Sequence, residues 1–100
     1  MSMWDERYAK PGYLFGVEPA DFVRARAGML APGARVLCVA DGEGRDSVYL
    51  AGLGHRVTAF DASPVALEKA RALAAEKGVA VDVHHSGIED WDWSQPFDAV

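Results

Sequence analysis

Two features of this sequence have the residue types and spacing to do chemistry. The first is the turn Ala40-Asp41-Gly42-Glu43-Gly44, set between an apolar run and a helical stretch; the second is Asp61, which closes the next apolar run. Glycines in such a turn allow positive φ and let the backbone approach a ligand with no Cβ in the way. The helix N-terminus that follows offers unsatisfied N–H groups suited to a carboxylate or a phosphate. An acid at the end of the next strand can accept hydrogen bonds from both ribose hydroxyls of an adenosine ligand. Each feature alone is weak, since Gly-x-Gly arises by chance and Asp61 also suits an Asx turn before Ser63-Pro64. Together, in one β-α-β unit, they point to a nucleoside ligand.

The kind of nucleoside is narrowed by what the turn lacks. A dinucleotide fingerprint wants Gly-x-Gly-x-x-Gly, with a third glycine for close helix–strand packing. Counted from Gly42 the third position is Ser47, and counted from Ala40 it is Arg45. No Gly-Lys-Ser or Gly-Lys-Thr is present either, so a Walker-type phosphate loop is excluded.

The elements around these residues read as α/β. A helix is expected from Glu18 or Pro19, with Phe22, Val23, Arg26 and Leu30 at near-helical spacing, ending at Pro32-Gly33. Arg35 to Ala40 is a short apolar run of the kind buried in a parallel sheet. The helix after the glycine turn carries Val48, Leu50 and Leu53 and stops at Gly52 or Gly54. Arg56 to Phe60 is a second strand. Ser63-Pro64 has the layout of an N-cap followed by proline in the first turn. The helix from Val65 to about Lys77 places Leu67, Ala70, Leu73 and Ala74 on one face, and Gly78 closes it. Val79 to His84 is a third strand, Trp91 to Pro96 a loop, and Phe97 to Val100 the opening of a fourth strand. Residues 1–17 form an aromatic, irregular N-terminal segment and residues 18–100 the βαβ core. That alternation predicts a parallel sheet with right-handed crossovers.

One hundred residues make at most one small domain, and half of them are hydrophobic, which argues against disorder. The net charge of −5 gives no basic patch for a nucleic acid or an anionic membrane. No apolar run is long enough to span a bilayer, and the first residues lack a signal-peptide layout, so a cytoplasmic location is expected. Cys38 is the only cysteine, which excludes an intrachain disulfide and a cysteine-cluster metal site.

Val36-Leu37-Cys38-Val39-Ala40-Asp41-Gly42-Glu43-Gly44-Arg45-Asp46 resembles the first motif of class I S-adenosylmethionine-dependent methyltransferases. The likeness is strongest to their tellurite-resistance-related branch. Gly54 to Ser63 is similar to that branch's second-strand motif, and Trp4 to Tyr8 with Tyr13 to Pro19 to its N-terminal segment. The resemblance implies a Rossmann-like parallel sheet with flanking helices, cut after the start of the fourth of seven strands. It implies S-adenosylmethionine or S-adenosylhomocysteine as cofactor and a small-molecule methyl acceptor. Ala40, Asp41, Gly42 and Gly44 would line the methionine part, Asp61 would hold the ribose, and Ala62 would lie beside the adenine. Ile88 and Glu89, after the third strand, would edge the adenine ring. Tyr8 and Tyr13 would fold over the methyl-donor end, where a sulfonium is attracted to aromatic faces. The sequence departs from the general motif at Cys38 and Gly87, where acids are common, and at Ala40, which replaces a glycine. These changes weaken side-chain contacts and leave the backbone cradle, so Asp61 carries more of the recognition. Without the acceptor side, cofactor binding with negligible turnover is expected.

Other reactive-looking residues have simpler readings. His55 falls in a turn, and His84 and His85 end a strand with side chains on opposite faces. Cys38 reads as a small buried hydrophobe, Trp91 and Trp93 as packing under a loop, and the helix charges as a solvated face. No catalytic residue and no metal ligand is assigned. Two alternatives stay open: a nicotinamide- or flavin-dependent oxidoreductase module, and a nonenzymatic association module. The apolar edge left at the fourth strand predicts a homodimer or domain swap.

Overall fold

The computed structural model describes residues 3–9, 11–13 and 16–100. Leu14 and Phe15 of the N-terminal motif, and the side chains of Trp4 and Phe22, lie outside the described residues. The elements run α1 (Met3–Tyr8), α2 (Asp21–Arg26), a 3₁₀ turn (Ala27–Met29), β1 (Arg35–Val39), α3 (Arg45–Gly52), β2 (Arg56–Asp61), α4 (Pro64–Lys77) and β3 (Asp82–His85).

The strands pair in parallel in the order β1-β2-β3, with Val36 opposite Val57 and Ala59 opposite Val83. Ala99 bridges Val36 in parallel on the free edge of β1. Leu37 N–H donates to Ala99 O at 3.0 Å and Asp98 N–H to Arg35 O at 2.7 Å. In space the chain therefore lies β3, β2, β1, then residues 97–100, and its direction of travel across the sheet reverses at β1. Crevices at the carboxyl ends of strands beside such a reversal are where open α/β sheets bind ligands.

The sheet is held between apolar helix faces. In one cluster Val36 and Val57 pack with Ala27 of the 3₁₀ turn, Ala34 just before β1 and Leu50 of α3. Val48 of α3 meets Leu73 and Ala74 of α4 in a second cluster. Leu67, Ala70, Leu73 and Ala74 are all buried, as their helical spacing requires. Ser63 caps α4 by accepting the Ala66 N–H at 3.2 Å, and Gly78 ends it at φ 69°. Both are the expected punctuation.

Five features differ from expectation. The segment expected to be irregular contains α1, whose first turn carries Asp5 and Glu6 and whose last turn carries Arg7, the charge order the helix dipole favours. Helix α2 begins at Asp21 rather than at Glu18 or Pro19, with extended Ala20 before it. It tightens into the 3₁₀ turn before Pro32 is reached. Strand β3 starts at Asp82, not Val79, because Val79 is spent on the end of α4, donating to Ala74 O at 3.0 Å. Residues 97–100 form a single bridge rather than a ladder. Among the described residues no helix is long and apolar enough to cross a membrane.

Candidate functional site

Three loops converge at the carboxyl ends of the strands: 40–44 after β1, 61–63 after β2 and 86–89 after β3. Parallel pairing puts these ends side by side, and two short bonds extend the ladder past the strands. Asp41 N–H donates to Phe60 O at 3.0 Å, and Ser86 N–H to Asp61 O at 3.1 Å.

Asp61 is the hinge of this cluster. Its Oδ2 accepts the Gly42 N–H at 2.9 Å and its Oδ1 accepts the Ser63 N–H at 2.9 Å. The second bond is the Asx turn read from Ser63-Pro64, and Asp61 lines a cavity as well. A carboxylate has about four acceptor sites, and these bonds use two.

Between the loops lie two cavities that share Tyr8 and Ala40. The larger, about 660 Å³, is lined by Phe60, Asp61, Ala62, Ser63, Ile88 and Glu89 among others. It falls in the size range of small-molecule sites, roughly 300–1,000 Å³. The smaller, about 140 Å³, is lined by Tyr8, Gly16, Asp41, Gly42, Glu43 and Asp46 together with Ala40 and Arg45. It is too small to hold a nucleoside and reads as a side chamber beside the glycine turn.

Of the ten residues expected at the site, eight line these cavities: Tyr8, Ala40, Asp41, Gly42, Asp61, Ala62, Ile88 and Glu89. Gly44 and Tyr13 line neither. Gly44 has φ 92°, and a Cβ there would lie 2.9 Å from the Ala70 Cβ. It is thus the point where α4 packs against the turn. Gly42, at φ 64°, faces the Tyr8 hydroxyl, which a Cβ would meet at 3.0 Å. Tyr13 donates its hydroxyl to Lys69 O at 3.4 Å and packs against the cluster of Val48, Leu73 and Ala74. Ala40 adopts φ 50° with a side chain, a left-handed conformation that costs about 1–2 kcal/mol for a non-glycine residue.

Asp41 works inward. Its carboxylate accepts the Ser47 Oγ–H at 2.6 Å and the Ser47 N–H at 3.3 Å, so it caps the first turn of α3 from across the loop. Part of the expected N-terminal anion site is therefore already satisfied by the protein. Burial raises the Asp41 pKa to about 6, against the pull of the Ser47 bonds, with Asp46 and Asp61 adding repulsion. Burial first, and then the nearby Asp61 and Glu43 carboxylates, also push the Tyr8 phenol upward, which keeps it a neutral hydroxyl.

The tempting residues elsewhere have local partners. His55 Nδ1 accepts the Ala34 N–H, His84 pairs with Asp82, and His85 Nε2 bonds Ala62 O. Burial raises the Cys38 thiol above its ordinary range. Trp91 stacks on Phe60 at 4.6 Å, and Trp93 donates to Ile88 O at 2.9 Å, so these tryptophans brace the loop that carries Ile88. No cluster of potential metal ligands occurs among the described residues.

The sequence reading missed Glu43 and Lys69. Glu43 is buried, and its Oε2 lies 3.1 Å from Lys69 Nζ, whose side chain is only 22% exposed. The expectation that helix charges form a solvated face fails at Lys69, because α4 is turned so closely onto the glycine turn. Asp5, which accepts the Ser63 Oγ–H and lines the larger cavity, was missed too. No local signal marks a contact between residues so far apart.

A parallel α/β sheet with a carboxylate and a glycine turn at its reversal point defines a nucleoside-binding fold. Comparison with known proteins is specific. Residues 36–100 match the methyltransferase domain family. Over 97% of its length the chain is 40% identical to a ubiquinone biosynthesis O-methyltransferase of Xanthomonas campestris, and it spans 41% of that relative. A solved S-adenosylmethionine-dependent methyltransferase from Thiobacillus denitrificans, in complex with S-adenosylhomocysteine, covers 99% of the chain with a TM-score of 0.77 at 22% identity. The match spans 42% of that chain. A TehB-like methyltransferase from Corynebacterium glutamicum superposes over 78% of the chain and 42% of its own, with a TM-score of 0.66 at 24% identity. The chain belongs to the methyltransferase domain family.

Proposed function

We propose that this chain is the cofactor-binding portion of an S-adenosylmethionine-dependent methyltransferase that acts on a small-molecule acceptor. The observation that carries the proposal is the placement of Asp61 at the wall of the larger cavity, between the glycine turn and Ala62. The residues present fit the cofactor. The carboxylate of Asp61 keeps acceptor capacity for ribose hydroxyls. Ala62, Ile88 and Phe60 give the cavity apolar walls, and Gly42 lines the smaller chamber beside the Tyr8 hydroxyl. The bound cofactor supplies an electrophilic methyl group on a sulfonium. Tyr8, lining both cavities, presents a neutral ring and hydroxyl, which suits a cation.

Methyl transfer is an in-line displacement helped chiefly by positioning. The loops described here orient the donor side alone, so we take the portion by itself to bind cofactor with negligible turnover. The 40% identity to ubiquinone biosynthesis O-methyltransferases favours an oxygen acceptor. The Ala40–Asp46 loop and the N-terminal motif favour kinship with the tellurite-resistance-related branch within the same family. A cytoplasmic location accompanies this reading.

Titration with S-adenosylhomocysteine, followed by calorimetry and amide NMR, tests it. Saturable binding that shifts Gly42, Asp61 and Ile88 is expected. A folded sample that binds NAD equally well, or binds neither ligand, overturns the reading.

A further inference from the structure

We infer that Asp46 is a positioning residue for the cofactor, acting through the backbone of Ala20 to hold the N-terminal segment beside the glycine turn. The inference rests on the cofactor reading above and extends it to a tether between α3 and the start of α2. Asp46 stands in the first turn of α3, where the helix dipole favours an acid. Its Oδ1 accepts the Ala20 N–H at 2.8 Å, across 26 residues of sequence. Ala20 immediately precedes α2 in an extended conformation, and its carbonyl accepts the Arg24 N–H at 3.0 Å. Ala20 is thus held by α3 at its N–H and by the first turn of α2 at its carbonyl. The Arg24 guanidinium lies 5.9 Å from the centre of the Tyr49 ring, a further contact between α2 and α3.

Both ends of the tether border the cofactor site. Asp46 lines the smaller chamber with Ala40, Asp41 and Gly42, and so does Gly16, a short stretch of chain before Ala20. Pro19, between them in sequence, is buried and has a fixed φ, so the link from Ala20 back toward Gly16 is stiff on the side of the tether. Among the described residues, neither Asp46 nor Gly16 lines the larger cavity. On the cofactor reading, the nucleoside takes that larger cavity around Asp61 and leaves the chamber, about 140 Å³, to the amino-acid end. Without the Asp46 acceptor the segment loses its hold on the first turn of α3, and Gly16 no longer keeps a fixed distance from the glycine turn. The chamber loses its shape at the amino-acid end. The nucleoside end, held by Asp61 and the Ile88 loop, keeps its own.

The test uses the full chain and two probes. S-adenosylhomocysteine spans both ends, while 5′-methylthioadenosine lacks the amino-acid end. Asp46→Ala is expected to weaken S-adenosylhomocysteine about tenfold and 5′-methylthioadenosine less than twofold. Asp46→Asn keeps an acceptor without the charge and is expected to stay within threefold of the parent chain. Ala20→Pro deletes the donor instead, at a φ of −59° that already suits proline. It is expected to reproduce the selective loss with Asp46 untouched, and adding Asp46→Ala to it should cost little more. Unchanged S-adenosylhomocysteine affinity in Ala20→Pro overturns the inference, because Asp46 then acts by its own charge or contact. A loss in Asp46→Asn as large as in Asp46→Ala overturns it for the same reason. Unfolding of both Asp46→Ala and Ala20→Pro, or equal weakening of the two probes, assigns the bond to general stability and overturns it too. Absence of binding by the parent chain overturns instead the cofactor reading on which the inference rests.

Discussion

The Asp61 carboxylate accepts the backbone N–H of Gly42 at 2.9 Å, joining the end of β2 to the turn that follows β1. The bond explains how an acid expected to serve a ligand also shapes the cradle. Through Oδ1 it holds Ser63, and Ser63 in turn caps α4.

Replacing Asp61 with Ala removes both roles. Hydrogen bonds to a charged group contribute about 1.5–3 kcal/mol, so cofactor affinity is expected to fall roughly 10- to 150-fold. The melting temperature should fall as well, because the Gly42 and Ser63 N–H groups lose their acceptor. Calorimetric titration with S-adenosylhomocysteine beside thermal unfolding checks both; unchanged affinity removes Asp61 from the site.

The two glycines of the turn should separate experimentally. Gly44→Ala drives a methyl group to 2.9 Å from the Ala70 Cβ and 3.0 Å from its backbone Cα, at φ 92°. Overpacking and left-handed strain together predict a loss of about 3 kcal/mol. Gly42→Ala meets only the Tyr8 hydroxyl at 3.0 Å, the far end of a side chain that can turn away. Its stability loss should stay near 1 kcal/mol, with the main effect on ligand affinity. Denaturant melts paired with titrations distinguish the two; an equal stability loss contradicts the division of labour.

Asp41 introduces a pH dependence whose sign follows from its raised pKa of about 6. An unfolded Asp ionises near 3.9, so between about pH 4 and pH 6 the folded chain holds a proton that the unfolded chain has released. Stability from this group is complete below that window and is lost as pH rises through it. Asp41→Asn, which retains an acceptor for Ser47, should flatten that slope and raise stability near neutrality by about 2 kcal/mol. Urea melts at pH 4.5, 6 and 7.5 measure it, and parallel slopes for the two proteins refute it.

Much of the fold was local enough to read from residue order. Strands β1 and β2, the Ser63-Pro64 start of α4 and its Gly78 stop rest on apolar runs, capping and positive φ, which act within a few residues. The convergence of the three loops was legible for the same reason: parallel β-α-β units bring strand ends together, so Gly42, Asp61 and the Ile88 loop had to meet. Only tertiary structure decided what each residue faces there. Gly44 turned to Ala70 and Tyr13 to α4, and Lys69 was drawn out of solvent onto Glu43. These outcomes depend on the rotation and height of α4 against the glycine turn. Close packing between elements sets that geometry, and no spacing along the chain encodes it by itself.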